Sequence, residues 1–166
     1  MNIIFLDIDG VLNCHSTKER IRGMYGIDPA KVHLLRQIVD VTNSVIVLTS
    51  TWKLCYDPCA DIQRSHDGQY LAGSLAAEGL SIYDKTRDSG LNRGYGILCW
   101  MDEHPELTES DGSFVILDDE EFDYPRCFYR ENKLSRYWIQ TSFYKSGLRE
   151  SHVRRAIELM ESQKNF

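Results

Sequence analysis

Apolar positions along the chain fall into two patterns. The first is the short unbroken run. Ile3-Ile4-Phe5-Leu6 stops at Asp7, Val45-Ile46-Val47-Leu48 stops at Thr49-Ser50-Thr51, and Phe114-Val115-Ile116-Leu117 stops at Asp118-Asp119. Runs of this length, rich in β-branched residues and closed by polar positions, predict strands buried on both faces, as in a parallel sheet. Leu80-Ser81-Ile82-Tyr83 and Tyr137-Trp138-Ile139-Gln140 are weaker versions. The second pattern has helical spacing. Pro29 to Asn43 carries Val32, Leu34, Leu35, Ile38, Val39 and Val41, with Asp28 as N-cap ahead of Pro29. Tyr70 to Glu78 stops at Gly79, Tyr95 to Glu103 stops near Pro105, and Ser151 to Met160 takes Ser151 as its N-cap. Strands alternating with helices predict an α/β fold: a three-layer, Rossmann-like parallel sheet of about five strands with helices on both faces.

The chain has 166 residues, which suits a single domain spanning residues 1–166. It is 42% hydrophobic and 27% charged, an ordinary globular balance. Disordered, collagen-like and fibrous classes are excluded. No apolar run approaches the ~20 residues that cross a bilayer, so no membrane partner is expected. Met1-Asn2 brings no basic region, and Asp7 and Asp9 break the apolar stretch, unlike a signal peptide. The five cysteines are odd in number, and no second ligand pair completes Cys55-x-x-x-Cys59. Free thiols in a reducing cytosol, and so a cytoplasmic location, are the expectation. The segments 13–28 and 53–70 read as loop-like insertions long enough to roof a site.

The net charge is −6, unevenly spread. Residues 1–125 hold 21 acids against 10 Lys and Arg, and residues 126–166 hold 9 Lys and Arg against 4 acids. Ten acids and no Lys or Arg lie between Asp102 and Asp123. Such a run is either a solvated face or a source of carboxylates for a divalent cation. The motifs decide between them. Ligands of open parallel sheets bind beyond the carboxyl ends of the strands, and the three strongest strands all end there in polar residues. Asp7-Ile8-Asp9-Gly10 sets two carboxylates two residues apart, on one side of the chain if extended geometry persists, and Gly10 permits a sharp turn. Carboxylates that close repel unless a cation intervenes. Asp118 and Asp119 add hard oxygen ligands from another strand end.

Phe5-Leu6-Asp7-Ile8-Asp9-Gly10-Val11-Leu12 resembles the first motif of the haloacid dehalogenase-like (HAD) superfamily, an apolar strand followed by D-x-D-G. Val45 to Ser50 resembles its second motif and Val115 to Asp119 its fourth. Order and separation fit over nearly the whole chain. Leu48-Thr49-Ser50-Thr51-Trp52-Lys53, Arg93-Gly94, Ile97 with Trp100, and Gln140-Thr141 with Gly147-Leu148 are similar to small HAD domains found alone in bacteria and phages. Relatives of those domains are fused into Swiss-army-knife RNA repair proteins.

The resemblance implies a HAD-like fold with a minimal cap and a Mg²⁺-dependent phosphohydrolase. Asp7 would be the nucleophile that forms an aspartyl-phosphate. Asp9 would act as general acid and then base, and its backbone carbonyl would be a metal ligand. Thr49 would hydrogen-bond a phosphoryl oxygen. Asp7, Asp9, Asp118 and Asp119 would hold the metal, with Asp119 matching the ligand position better than Asp118. Ser50, Gly10 and Lys53 would contact substrate. The third motif is a basic residue that offsets phosphoryl charge. Arg93, at a helix start, is the best match, with Lys85 and Lys53 as alternatives. Asp123 is a candidate outer-shell acid, and Glu120 and Glu121 read as surface charge.

Other candidates weigh less. His15, His33, His66, His104 and His152 are scattered without ligand spacing. Trp52 reads as packing, with stacking on a substrate base as the alternative. Arg126 to Trp138 interleaves bases and aromatics in the manner of a nucleic-acid surface.

Three functions compete. The first is a phosphatase acting on a phosphomonoester, whether a small metabolite, a nucleotide or a polynucleotide end. The second is a catalytically weak HAD-fold module that binds nucleic acid or protein, against which the intact motif acids speak. The third is phosphotransfer, which calls for a substantial cap to exclude water; this chain has only short insertions. An open site suits a large phosphorylated partner, such as a nucleic-acid end or a phosphoprotein, or closure by a partner subunit.

Overall fold

The computed structural model describes residues 1–88, 91–108 and 112–164. Glu109 and Asp111 of the acidic run lie outside them. The strands in chain order are β1 (Asn2–Leu6), β2 (Arg20–Ile21), β3 (Met24–Tyr25), β4 (Ser44–Leu48), β5 (Ile82–Lys85), β6 (Phe114–Asp118), β7 (Phe128–Tyr129), β8 (Asn132–Lys133) and β9 (Trp138–Gln140). The α-helices are α1 (Pro29–Thr42), α2 (His66–Ala76), α3 (Arg93–Glu103), α4 (Pro105–Thr108) and α5 (Glu150–Gln163). Five strands form one parallel sheet in the order β5-β4-β1-β6-β9. The expected three-layer, Rossmann-like α/β architecture is thus present, with β1 at the centre.

The pleat explains the two cores. Successive residues of β1 face opposite sides. Ile4 and Leu6 pack with Ile46, Leu48, Val115 and Leu117 against α1, α2 and α5. Ile3 and Phe5 pack with Val47, Phe114 and Ile116 against α3 and the segment that follows β6. Phe5 meets Trp100 of α3 edge-on, with ring centres 5.6 Å apart. Each fully buried side chain of this kind contributes about 1.5–3 kcal/mol relative to exposure.

Several element ends depart from the sequence reading, among them α3, which starts at Arg93 rather than Tyr95, and three have a local cause. α2 starts at His66 rather than Tyr70, because Ser65 caps it by accepting from Gly68 N at 2.9 Å. Its first turn carries no apolar stripe to announce it. The strand expected from Leu80 starts at Ile82, since Leu80 N donates to Leu75 O and closes the end of α2 over the left-handed Gly79. α5 is capped at Arg149, not Ser151: Arg149 N donates to His152 Nδ1 at 3.2 Å. Asp28 caps α1 as expected, accepting from Ala30 N.

Register does the rest. Leu6 pairs with Leu48 on one side and with Leu117 on the other. One residue further, Asp7 N donates to Leu117 O and Thr49 N donates to Leu6 O, both at 2.9 Å. Asp7, Thr49 and Asp118 therefore form one row at the carboxyl edge. Two insertions flank that edge. Residues 13–28 carry the β2–β3 hairpin, turned through Arg22 and Gly23 with positive φ, and residues 53–70 run into α2. No described helix is long and apolar enough to cross a membrane.

Candidate active site

Asp7 is 2% exposed and Asp118 fully buried. Single carboxylate atoms of Asp7, Asp118 and Asp119 all lie within 4.8 Å of one another. Arg93 enters this group from the first turn of α3. Its Nη1 is 2.7 Å from Asp7 Oδ1 and 2.6 Å from Asp118 Oδ2. Its guanidinium lies over the Phe122 ring, 4.2 Å from the ring centre. The helix start that carries Arg93 is itself pinned: Asp123 accepts from Gly94 N at 2.6 Å and from Tyr95 N at 3.1 Å. Asp123 thus acts through the backbone of α3.

Asp118 and Asp119 are not equivalent. Asp118 takes Arg93 Nη1 and the Tyr124 hydroxyl (2.8 Å) on Oδ2, and Glu120 N (3.0 Å) on Oδ1. Its lone pairs are largely committed. Asp119 is partly exposed and lies against Gly10, whose φ of +79° opens the turn. Thr141 Oγ1 donates to Gly10 O at 2.7 Å and fixes that turn from β9's side.

Charge in this row is out of balance. Burial pushes the Asp7 carboxyl well above the ordinary range, Asp118 adds repulsion, and Arg93 pulls the other way. Asp118 is raised by burial, with Arg93 opposing. Asp119 is pushed up to about 6 by burial, with repulsion from Asp118 and Glu120. Three acids around one arginine leave a negative excess: Asp7 Oδ1 and Asp118 Oδ2 share the single Arg93 Nη1. A hard divalent cation with oxygen ligands fits that charge. Asp7, Asp119 and Asp118 are the side chains placed to hold it.

The Asp9 carboxylate departs from the side-by-side placing with Asp7 that extended geometry would give. Its side chain is exposed and lies outside the acid trio. Asn13 Nδ2 donates to Oδ1 at 2.7 Å and Trp52 Nε1 to Oδ2 at 3.0 Å. The turn at Gly10 ends the extended geometry that would have kept the two carboxylates parallel. Trp52, read as packing, does pack near Tyr70 at a centroid distance of 6.4 Å, and it also holds Asp9.

The basic candidates separate cleanly. Lys53 is 3% exposed, with Nζ 2.6 Å from Asp88 Oδ1 and 3.1 Å from Thr86 Oγ1. Lys85 Nζ donates to the backbone carbonyls of Lys53 and Tyr56. Only Arg93 among the three reaches the acids. Ser50 is buried and caps the turn Thr51–Leu54, and a hydrogen bond from its hydroxyl eases the Asp7 charge. Sequence reasoning missed Tyr124 and Phe122 and gave no role to Asn13 or Thr141. Asn13, three residues after Gly10 and donating back across the tight turn, left a local signal, and Thr141 stood among the residues that carry the resemblance.

A cavity of about 570 Å³ opens beside Asp9 and Trp52, bounded by Met24 and Tyr25 from the first insertion, Cys55 and Asp67 from the second, and Phe143. The insertions wall this cavity at the Asp9 rim.

The row of Asp7, Thr49, Asp118 and Asp119 with Arg93 is accompanied by a match over residues 3–153 to the family described as HAD domain in Swiss Army Knife RNA repair proteins. The chain belongs to this HAD family. Membership suggests phosphohydrolase chemistry and a divalent metal. Neither a curated protein nor a solved structure matches the chain.

Proposed function

We propose that this HAD domain is a Mg²⁺-dependent phosphatase that cleaves phosphomonoesters through an aspartyl-phosphate on Asp7. The observation that carries the reading is the separation of the two first-motif carboxylates. Asp7 is buried against Arg93 in the acid trio, while Asp9 stands at the rim, held by Asn13 and Trp52. That separation supports a nucleophile at Asp7 and a proton carrier at Asp9.

The Asp7 carboxylate oxygen attacks phosphorus and the bond to the leaving oxygen breaks. Asp9 delivers its proton to that oxygen, since an alkoxide is a poor leaving group at neutral pH. Asp9 then takes a proton from water, whose oxygen attacks phosphorus. The Asp7–phosphorus bond breaks, restoring the carboxylate and freeing inorganic phosphate. Thr49 offers a buried hydroxyl with no other partner to a phosphoryl oxygen. Arg93 offsets charge gathering on the phosphoryl group. Bound Mg²⁺ would screen the phosphate from the carboxylates and polarise a phosphoryl oxygen.

The test is phosphate release from a panel of sugar phosphates, nucleotides, phosphopeptides and 3′- or 5′-phosphorylated oligonucleotides, with Mg²⁺ and with excess EDTA. Release that is Mg²⁺-dependent and abolished in Asp7→Asn is expected. Full activity in excess chelator overturns the metal assignment, and substantial turnover by pure Asp7→Asn overturns the nucleophile.

A further inference from the structure

We propose that the cavity beside Asp9 is the seat of a nucleobase belonging to the leaving group, so that the substrate is a nucleotide, free or at the end of a strand. The proposal rests on the phosphatase reading above and adds what the phosphate is removed from. Asp9 and Trp52 line the cavity and are hydrogen-bonded to each other. A group entering it is therefore continuous with the oxygen that Asp9 protonates. At about 570 Å³ the cavity lies within the ordinary size of small-ligand pockets, far more than a simple sugar alcohol fills.

Its walls are rings. Trp52 lies on one side, and Tyr25 and Phe143 meet edge-on at 5.2 Å on another. Met24, 58% exposed, adds a polarizable rim. Flat aromatic partners stack on such surfaces. The cavity also holds a carboxylate: Asp67 Oδ1 is buried without a hydrogen bond of good geometry, with Arg22 Nε and His66 Nδ1 as ionic neighbours at 3.4 and 3.5 Å. A base edge carrying N–H groups offers it a direct donor. The phenol ring of a phosphotyrosine has no such donor. Charge at the mouth points the same way. Lys18, Arg20 and Arg22 are exposed on the hairpin that walls the cavity, with Arg20 over the Tyr25 ring at 4.2 Å. They stand in an otherwise acidic half of the chain, where an anionic backbone would find its counter-charge.

Trp52 has a double part. The indole face meets the base while its Nε1 orients the Asp9 carboxylate, so occupancy of the cavity and the setting of the proton carrier share one side chain.

The experiment uses the full chain in two readouts. The first is kcat/KM with Mg²⁺ for GMP, UMP, a terminally phosphorylated trinucleotide, glycerol 2-phosphate and O-phosphotyrosine. The second is quenching of tryptophan fluorescence by guanosine, which carries no phosphate, in native protein and Trp52→Phe. Nucleotides should exceed glycerol 2-phosphate by about tenfold or more, the scale of one stacked base. Tyr25→Ala and Asp67→Asn should lower that ratio several-fold. Guanosine should quench native fluorescence and leave Trp52→Phe unaffected. A higher kcat/KM for the trinucleotide than for the mononucleotides assigns the base to a strand end, and the reverse assigns it to a free nucleotide. Equal efficiencies for GMP and glycerol 2-phosphate, preference for O-phosphotyrosine, or no quenching overturns the proposal. Absence of hydrolysis for every compound overturns the phosphatase reading instead, and the quenching result then decides the cavity alone.

Discussion

Gly10 and Asp119 stand so close that a Cβ on Gly10 would fall 2.2 Å from Asp119 Oδ2. The glycine also holds φ at +79°, where an L side chain costs about 1–2 kcal/mol. Gly10→Ala should therefore displace the Asp119 carboxylate. Titration of the variant with Mg²⁺, followed by thermal stability, should show weaker stabilisation than in the native chain, together with a lower melting temperature before metal is added. Native-like Mg²⁺ stabilisation would mean that Asp119 does not need its present position.

Asp7→Asn keeps the shape of the proposed nucleophile and removes its charge. Turnover should fall by at least about 10³-fold, as expected when a covalent nucleophile is lost. The metal-free variant should be no less stable than the native chain, because burial and Asp118 both disfavour the Asp7 anion. Activity by phosphate release and melting by circular dichroism check the two halves separately.

Asp119 gives a pH signature in the absence of metal. Its carboxyl is held up at about 6 in the folded chain, above its unfolded value. The folded state then binds more protons than the unfolded state between about pH 4 and pH 6, so its stability falls as pH rises through that window. In EDTA, Asp119→Asn should be more stable than the native chain at pH 7 by about 1–2 kcal/mol, allowing for partial exposure. The gap should close below about pH 4. A gap that is constant from pH 4 to 7 would show that Asp119 ionises freely.

Arg93→Ala leaves Asp7 and Asp118 buried without their cation. Breaking a buried ion pair from one side costs about 3–5 kcal/mol, and losing one stabiliser of transition-state charge costs roughly 10²-fold or more in kcat. Kinetics at a temperature well below the variant's melting point separates the effects. Near-normal kcat would move the role to Lys85 or Lys53, whose ammonium groups are engaged elsewhere in the fold.

Asp123 is a positioning residue for Arg93, through two backbone N–H groups at the start of α3. Asp123→Ala should lower stability by about 1 kcal/mol, the worth of an N-cap, and lower kcat with KM little changed. Asp123→Asn retains one of the two acceptor oxygens and should recover part of the kcat. A kcat for Asn no better than for Ala would show that one acceptor oxygen is not enough to hold the start of α3.

The polar ends of β1, β4 and β6 were legible in the sequence, and with them Asp7, Thr49, Asp118 and Asp119. A parallel sheet gathers the carboxyl ends of its strands along one edge, so an apolar run followed by an acid or hydroxyl already reports a place in space. The α1 cap at Asp28 and the three-layer order were legible for the same reason: each follows from spacing within one short segment. The divergence of Asp9 from Asp7, the burial of Lys53 against Asp88, the capping of α3 by Asp123, the Tyr124 hydroxyl on Asp118 and the aromatic cavity between two insertions were not. Each of these is a meeting of side chains from segments far apart in the chain, or a consequence of the turn at Gly10. Local periodicity carries no information about which distant donor reaches a given acceptor. Packing against the finished sheet chose those partners, and that choice separated the Asp7 carboxylate from that of Asp9 two residues away.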